Sequence, residues 1–263
     1  MRKTINNGTH SYYDEGTGPV AVLIHGFAEN GSIWEIQQAY LKDRYRIITP
    51  DLPGTADVPL TSPPTMEEMA DYVYAILLAE GISKAVIIGH SMGGYVALAL
   101  AEKYPQLLQG LGLFHSTATA DSDEKKEGRI KSIKLMQQYG SETFLRQTLP
   151  SMFSPSFKTA QPDRVDAYVQ LCLPCPTPSL IAWYEAMMAR PDRREILKSV
   201  TVPVLFIVGK DDNAVPPELI IPQITLPRIS SIHIFDGVGH MGMWEVYEAS
   251  NVILQQFIAF CQK

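Results

Sequence analysis

Three cysteines in 263 residues (Cys172, Cys175 and Cys261) are too few, and odd in number, for a disulfide framework. Long apolar runs are missing too: no segment approaches the ~18 consecutive apolar residues of a membrane-spanning helix. Basic residues are the minority charge, 22 Lys and Arg against 28 Asp and Glu, for a formal net charge of −6. That balance excludes the clustered basic surface on which nucleic-acid binding depends, so no nucleic-acid partner is expected. The opening MRKTINNGTHSYYDEG has two basic residues but no apolar run after them, and does not read as a secretory signal. Internal repeats and low-complexity tracts are also lacking. Together these features point to a cytoplasmic globular protein. Its most charged stretch, 121–134, mixes both signs and reads as a solvated helix face.

What the sequence does contain is an alternation of short β-branched runs with longer helical patterns, the mark of a mostly parallel sheet covered on both faces. Buried strands are expected at 20–25, 45–50, 85–89, 110–114, 202–208 and 231–235, with an antiparallel edge ribbon over roughly 2–14. Helices are expected at 66–79, behind Thr65 as N-cap with Glu68 three residues on, at 91–103, stopping before Pro105, and at 244–260. The rhythm breaks between about Ser116 and Val200, which is helical or loop-like and rich in proline. A helical excursion between two core strands reads as a cap. The expected division is therefore a core of 1–115 and 201–263 with a helical cap, 116–200, inserted over the sheet's C-terminal edge.

GHSMGG at 89–94 lies between a strand and a helix. A serine hydroxyl is a weak nucleophile and must stand clear of the sheet to meet a base and a substrate carbonyl. A tight strand-to-helix turn achieves this, and it tolerates only small residues two before and two after the serine, here Gly89 and Gly93. Ser91 is thus the candidate nucleophile. Acyl transfer also needs two donors for the oxyanion. The backbone N–H of Met92 supplies one, and the HGF loop at 25–27 should supply the other from Phe27. The base must come late in the chain, where GVGHMG sets His240 in a glycine-flanked loop before the last helix. The acid behind it should follow the preceding strand, where GKDDNAVP offers Asp211 and Asp212.

HGF, DLPG at 51–54, GHSMGG, GKDDNAVP and GVGHMG, in this order, make the chain similar to the α/β-hydrolase fold family over essentially its full length. The small bacterial esterase and lactonase branch with a helical lid is the part it most resembles. The resemblance implies an eight-stranded, mostly parallel sheet and an acid three residues after the glycine that ends the penultimate strand. Gly209 and Pro216 fit that register and select Asp212. Relatives commonly continue DLPG with His-Gly and Ser; here Thr55, Ala56 and Asp57 follow, on a loop that shapes the pocket rim. Serine at 91 argues against the halide-removing and epoxide-opening relatives, whose elbow carries Asp.

The expected activity is cleavage of a carboxylic ester, thioester or lactone of a small molecule through an acyl-enzyme on Ser91, with no cofactor and no metal. Carbon–carbon bond cleavage or elimination on the same triad is the alternative, and a hydrolase-fold small-molecule receptor is a third reading. Among the remaining residues, His90 reads as packing under the elbow and His25 as fixing the oxyanion loop, while His115 divides evenly between pocket lining and structural use. Cys172 and Cys175 match C-x-x-C, but outside the strand-then-helix context of a redox site. Arg146, Arg190, Arg193 and Arg194 read as surface residues. Trp34, Phe153, Phe157, Trp183, Tyr184, Met187 and Met188 read as core or lid packing.

Overall fold

The computed structural model describes residues 1–55 and 58–263; Ala56 and Asp57 of the expected pocket-rim loop lie outside the described residues. Eight strands form one sheet: β1 (Arg2–Ile5), β2 (His10–Glu15), β3 (Val20–Ile24), β4 (Arg46–Asp51), β5 (Ala85–His90), β6 (Leu108–Phe114), β7 (Val204–Gly209) and β8 (Ser230–Phe235). Their order across the sheet is β1-β2-β4-β3-β5-β6-β7-β8. β1 and β2 form the antiparallel edge ribbon, β2 runs antiparallel to β4, and β3 to β8 are parallel.

The sequences VAVLI, AVIIGH, LQGLGLF and VLFIVG of β3, β5, β6 and β7 are buried almost throughout. A strand covered on both faces has no side on which a polar residue meets water. β8 departs from the expectation of a buried strand at 231–235. It is the sheet's last strand, paired only with β7, and Ile232 and Ile234 are 41% and 43% exposed. Its SSIHIF alternates with period two, the pattern of a strand with one open face.

The helices are α1 (Glu35–Leu41), α2 (Met66–Ala79), α3 (Met92–Lys103), α4 (Asp123–Thr148), α5 (Pro155–Ala160), α6 (Pro162–Cys172), α7 (Thr177–Ala189), α8 (Arg194–Ser199), α9 (Pro217–Ile220), α10 (Gly242–Glu245) and α11 (Tyr247–Phe260). The crossover through α1 moves across the sheet in one direction, and those through α2 and α3 move in the other. Right-handed connections therefore put α1 on one face and α2 and α3 on the opposite face. The packing follows, α2 against α3 and α1 against α11. At the start of α2, Thr65 and Glu68 close the expected capping box, Thr65 N donating to Glu68 Oε2 at 2.7 Å and Glu68 N to Thr65 Oγ1 at 3.1 Å. The closing helix is broken at Val246 (φ −128°, ψ 49°), which separates α10 from α11.

Between β6 and β7 the chain runs through α4 to α8 with no strand among the described residues. Here Arg190 and Arg193, expected at the surface, are buried instead, and Arg129 is largely covered. Arg190 donates to Asp121 at 2.8 Å, with both side chains 3% exposed, and Arg129 donates to the same carboxylate at 2.6 Å. Arg193 pairs with Glu67 of α2 and Glu102 of α3. A buried charge persists only when paired, and the partners of Arg190 and Arg193 lie too far along the chain to be read from local sequence.

Candidate active site

Five chain segments converge where the parallel strands end. β5 delivers Ser91, whose backbone is held at φ 51°, ψ −117°. A non-glycine residue in so sparsely populated a region costs about 1–3 kcal/mol, so the neighbouring structure must hold it. Ser91 N donates to Phe114 O at 3.0 Å, and the Ser91 carbonyl accepts from Gly94 N at 2.9 Å and Ser116 Oγ at 2.7 Å. The flanking glycines have a steric reason. A Cβ on Gly89 would lie 2.1 Å from Gly93 O, and one on Gly93 would lie 2.4 Å from Ile24 O.

β7 delivers Asp212 and the loop after β8 delivers His240. The Nδ1–H of His240 donates to Asp212 Oδ2 at 2.8 Å, whereas Asp211 engages only through its amide, to Val238 O. Asp212 Oδ1 accepts the amides of Ala214 (2.9 Å) and Val215 (2.8 Å). Burial pulls its carboxyl upward, but the charge and hydrogen bonds of His240 and His115 outweigh this and hold it well below the usual carboxylate range. Asp212 is therefore ionised and accepts only, which fixes the hydrogen of His240 on Nδ1 and leaves Nε2 free to take a proton. The His240 loop is clamped from outside the sheet. His240 N donates to Met152 O at 2.7 Å, while Glu245 accepts the amides of Gly239 and Ser154.

β3 delivers the HGF loop. Its Gly26 N–H is spent on Glu29 Oε2 at 2.6 Å, and the Phe27 and Met92 amides have no protein acceptor among the described residues. His25 donates from Nδ1 to Gly26 O (2.8 Å) and accepts Leu52 N at Nε2 (3.0 Å), a neutral ring that ties this loop to the end of β4. The Phe27 ring stacks on Tyr184 of α7 at 4.3 Å. Next to it, Trp183 Nε1–H donates to Pro53 O. A concavity of about 410 Å³ lined by Thr119, Arg194, Glu218 and Gln223 lies elsewhere and contains none of these groups.

Glu29 has no counterpart among the expected site residues, yet it joins them. Its Oε2 accepts from Gly26 N and from His90 Nδ1 (3.0 Å), and its Oε1 accepts from Tyr168 OH of α6 (3.0 Å). His90 Nε2–H in turn donates to the His240 carbonyl at 3.0 Å. Burial opposes charge on both partners, yet each is held in its charged form by the other, with His90 raised and Glu29 lowered. His90 is thus the cation of a buried ion pair that links the HGF loop, the Ser91 turn and the His240 loop. The one signal in the sequence was a lone acid, Glu29, in the HGFAENGS loop after β3. His115, Asp212 and His240 offer three possible metal-ligand atoms within 4.8 Å of one another, but both histidines already donate from Nδ1 to the same Asp212 oxygen.

A profile of the alpha/beta hydrolase family matches residues 21–249. The chain belongs to the alpha/beta hydrolase family. Among curated hydrolases it is 32% identical to a pimeloyl-[acyl-carrier protein] methyl ester esterase of Aliivibrio salmonicida, over 77% of each chain. It is 25% identical to a 2-hydroxy-6-oxononadienedioate/2-hydroxy-6-oxononatrienedioate hydrolase of a Pseudomonas species, over 96% of this chain and 93% of that one. Among solved structures it matches a malate-bound thermophilic esterase from Thermogutta terrifontis with a TM-score of 0.92, 29% identity and full coverage of both chains. No helix of this hydrolase, among the described residues, is long and apolar enough to cross a membrane.

Proposed function

We propose that this hydrolase cleaves a carboxylic ester, thioester or lactone of a small molecule through an acyl-enzyme on Ser91. The observation that carries the reading is the strained Ser91 turn at the end of β5, together with the buried His240–Asp212 pair at the ends of the neighbouring strands. Ser91 Oγ attacks the carbonyl carbon while His240 Nε2 takes the hydroxyl proton. The charge that develops on the carbonyl oxygen is held by the Phe27 and Met92 amides, at the positive end of α3. Collapse of the tetrahedral adduct breaks the bond to the leaving oxygen or sulfur, which receives the proton from His240. Water, deprotonated by the same histidine, then attacks the acyl carbon and restores Ser91. Asp212 keeps the imidazole in the productive tautomer and stabilises its protonated form.

Residues 116–200 act as the lid in this reading. The stacking of Tyr184 on Phe27 and the reach of Tyr168 to Glu29 support that role, because they seat cap helices on the oxyanion loop. Free Cys172, Cys175 and Cys261 suit a reducing, cytoplasmic setting. The relative that acts on 2-hydroxy-6-oxononadienedioate, similar over most of the chain, favours carbon–carbon bond hydrolysis as the second reading.

The test is fluorophosphonate labelling read by intact mass, run beside a panel of p-nitrophenyl esters, lactones and thioesters. Labelling is expected in the parent and absent in Ser91→Ala; equal labelling of both would overturn the assignment. Silence on every ester with retained labelling would favour the second reading.

A further inference from the structure

We infer that His115 is a positioning residue of this site, donating a second hydrogen bond to the Asp212 oxygen that His240 uses and so setting the pH range in which His240 works. The inference rests on the proposed roles of Ser91, Asp212 and His240.

His115 follows the last residue of β6, and its own N–H donates to Ile207 O at 2.9 Å, continuing the pairing with β7. The backbone then turns at φ 49°, a conformation rare for a residue that carries a Cβ. The ring is fully buried, with Nδ1 3.1 Å from Asp212 Oδ2. An ionised carboxylate only accepts, so this nitrogen carries the hydrogen. Burial pushes the ring down to about 4, so at neutral pH it is an uncharged donor. Its Nε2 has no hydrogen-bond partner among the described residues and faces Gly242, where a Cβ would lie 2.5 Å away. A residue kept only for packing would avoid both the positive φ and the orphaned nitrogen, since a leucine fills such space without a buried polar atom. Both costs are retained for one hydrogen bond, and that bond ends on the atom His240 uses. Strain at such a position is characteristic of functional sites.

The second donor does two things. It fixes the carboxylate so that Oδ2 faces His240, and it disperses charge that would otherwise stabilise protonated His240. Without it, Asp212 holds the imidazolium more strongly, and a higher pH is needed before His240 is free to act as a base. The groups facing this pair are few. His90 lies 4.9 Å from the His240 ring, centroid to centroid, with Glu29 behind it. Glu245 binds the amides beside His240, and Lys125 of α4 reaches Ala214 O on the Asp212 loop. All of these remain in place when His115 is changed.

The experiment is the pH dependence of the rate at which a fluorophosphonate labels Ser91, followed by intact mass, in the parent, His115→Leu and His115→Asn. Leu and Asn share the same branching at Cγ, but only Asn presents an N–H near the place of Nδ1, and Asn tolerates positive φ. His115→Leu should move the acid limb upward by about one pH unit and lower the plateau roughly tenfold. His115→Asn should restore the parental limb. If His115→Leu does not fold, His115→Gly, which suits positive φ and lacks the donor, is read in the same way. A limb in His115→Leu or His115→Gly that coincides with the parent's would overturn the inference, as would an Asn limb shifted as far as the donor-less one. A parent that fails to label at Ser91 would instead refute the reading on which the inference rests.

Discussion

Replacing Glu29 with glutamine tests whether a buried ion pair holds the site together. The carboxylate is 2% exposed and accepts from Gly26 N, His90 Nδ1 and Tyr168 OH, so nothing but protein solvates it. Glutamine keeps the shape and leaves one oxygen to accept from Gly26 and His90, which removes the charge and little else. A hydrogen bond to a charged group contributes about 1.5–3 kcal/mol, and removing one side of a buried pair costs about 3–5 kcal/mol. His90 can escape part of the second penalty by giving up its proton, so the expected loss is about 3 kcal/mol. In a chain of this size that is a fall in Tm of roughly 10 °C. The pH dependence gives the sharper reading. Glu29 is lowered, so its contribution is present above the ordinary glutamate value and is lost as pH falls through its folded one. His90 is raised, so its contribution is present below the ordinary histidine value and is lost as pH rises through its folded one. The stability gap between parent and Glu29→Gln should therefore be widest at mildly acidic pH and narrow on both sides. Urea unfolding from pH 4 to 9, with the m-value checked for constancy, measures it. A gap below about 1 kcal/mol at pH 6, against the ~3 expected, or one that is flat with pH, would refute the ion pair.

Two further outcomes follow from geometry and burial. Gly93→Ala puts a Cβ 2.4 Å from Ile24 O and 2.5 Å from His25 O, so the elbow must move; labelling of Ser91 should fall at least a hundredfold (about 2.7 kcal/mol). Gly128→Ala, on α4 with nothing within 4 Å of the new Cβ, should instead gain up to about 1 kcal/mol in thermal unfolding; the opposite ranking would refute the steric account. The contribution of His115 alone should lower parent stability by about 3 kcal/mol between pH 7 and pH 4, because the ring, held near 4 by burial, stays neutral while the unfolded chain takes up a proton. The unfolded state binds more protons over this range, so stability rises with pH there. His10 and His233, lowered by partial burial, add to the slope in the same sense. Urea titrations in which His115→Asn has the same slope as the parent would refute the assignment to His115.

The parts of the site legible in the sequence are those whose constraints are local. Ser91 needs small neighbours two residues either side and a strand and helix around it, and all of that lies within about twenty residues. Asp212 and His240, the expected acid and base, could be picked out because each occupies the first loop after a readable strand. Asp212 was separated from Asp211 by register, and the structure pairs Asp212 with His240. The residues whose contacts the sequence left unread are those whose meaning depends on a distant partner. Glu29 and His90 are 61 positions apart, His115 and Asp212 are 97, and Tyr168 reaches Glu29 across 139. Arg190 and Arg193 look like surface residues until Asp121, Glu67 and Glu102 are placed beside them. A charge in a sequence carries no mark of whether it will be desolvated, since burial is decided by the packing of the whole chain. A glycine whose Cβ would strike backbone has no such freedom, because the clash is written into the turn. A candidate nucleophile can therefore be read from one motif, whereas the buried charges around it emerge only when five strand ends meet. Glu29, His90 and His115, whose partners lie 61 to 139 positions away, are the groups a motif is least able to reveal.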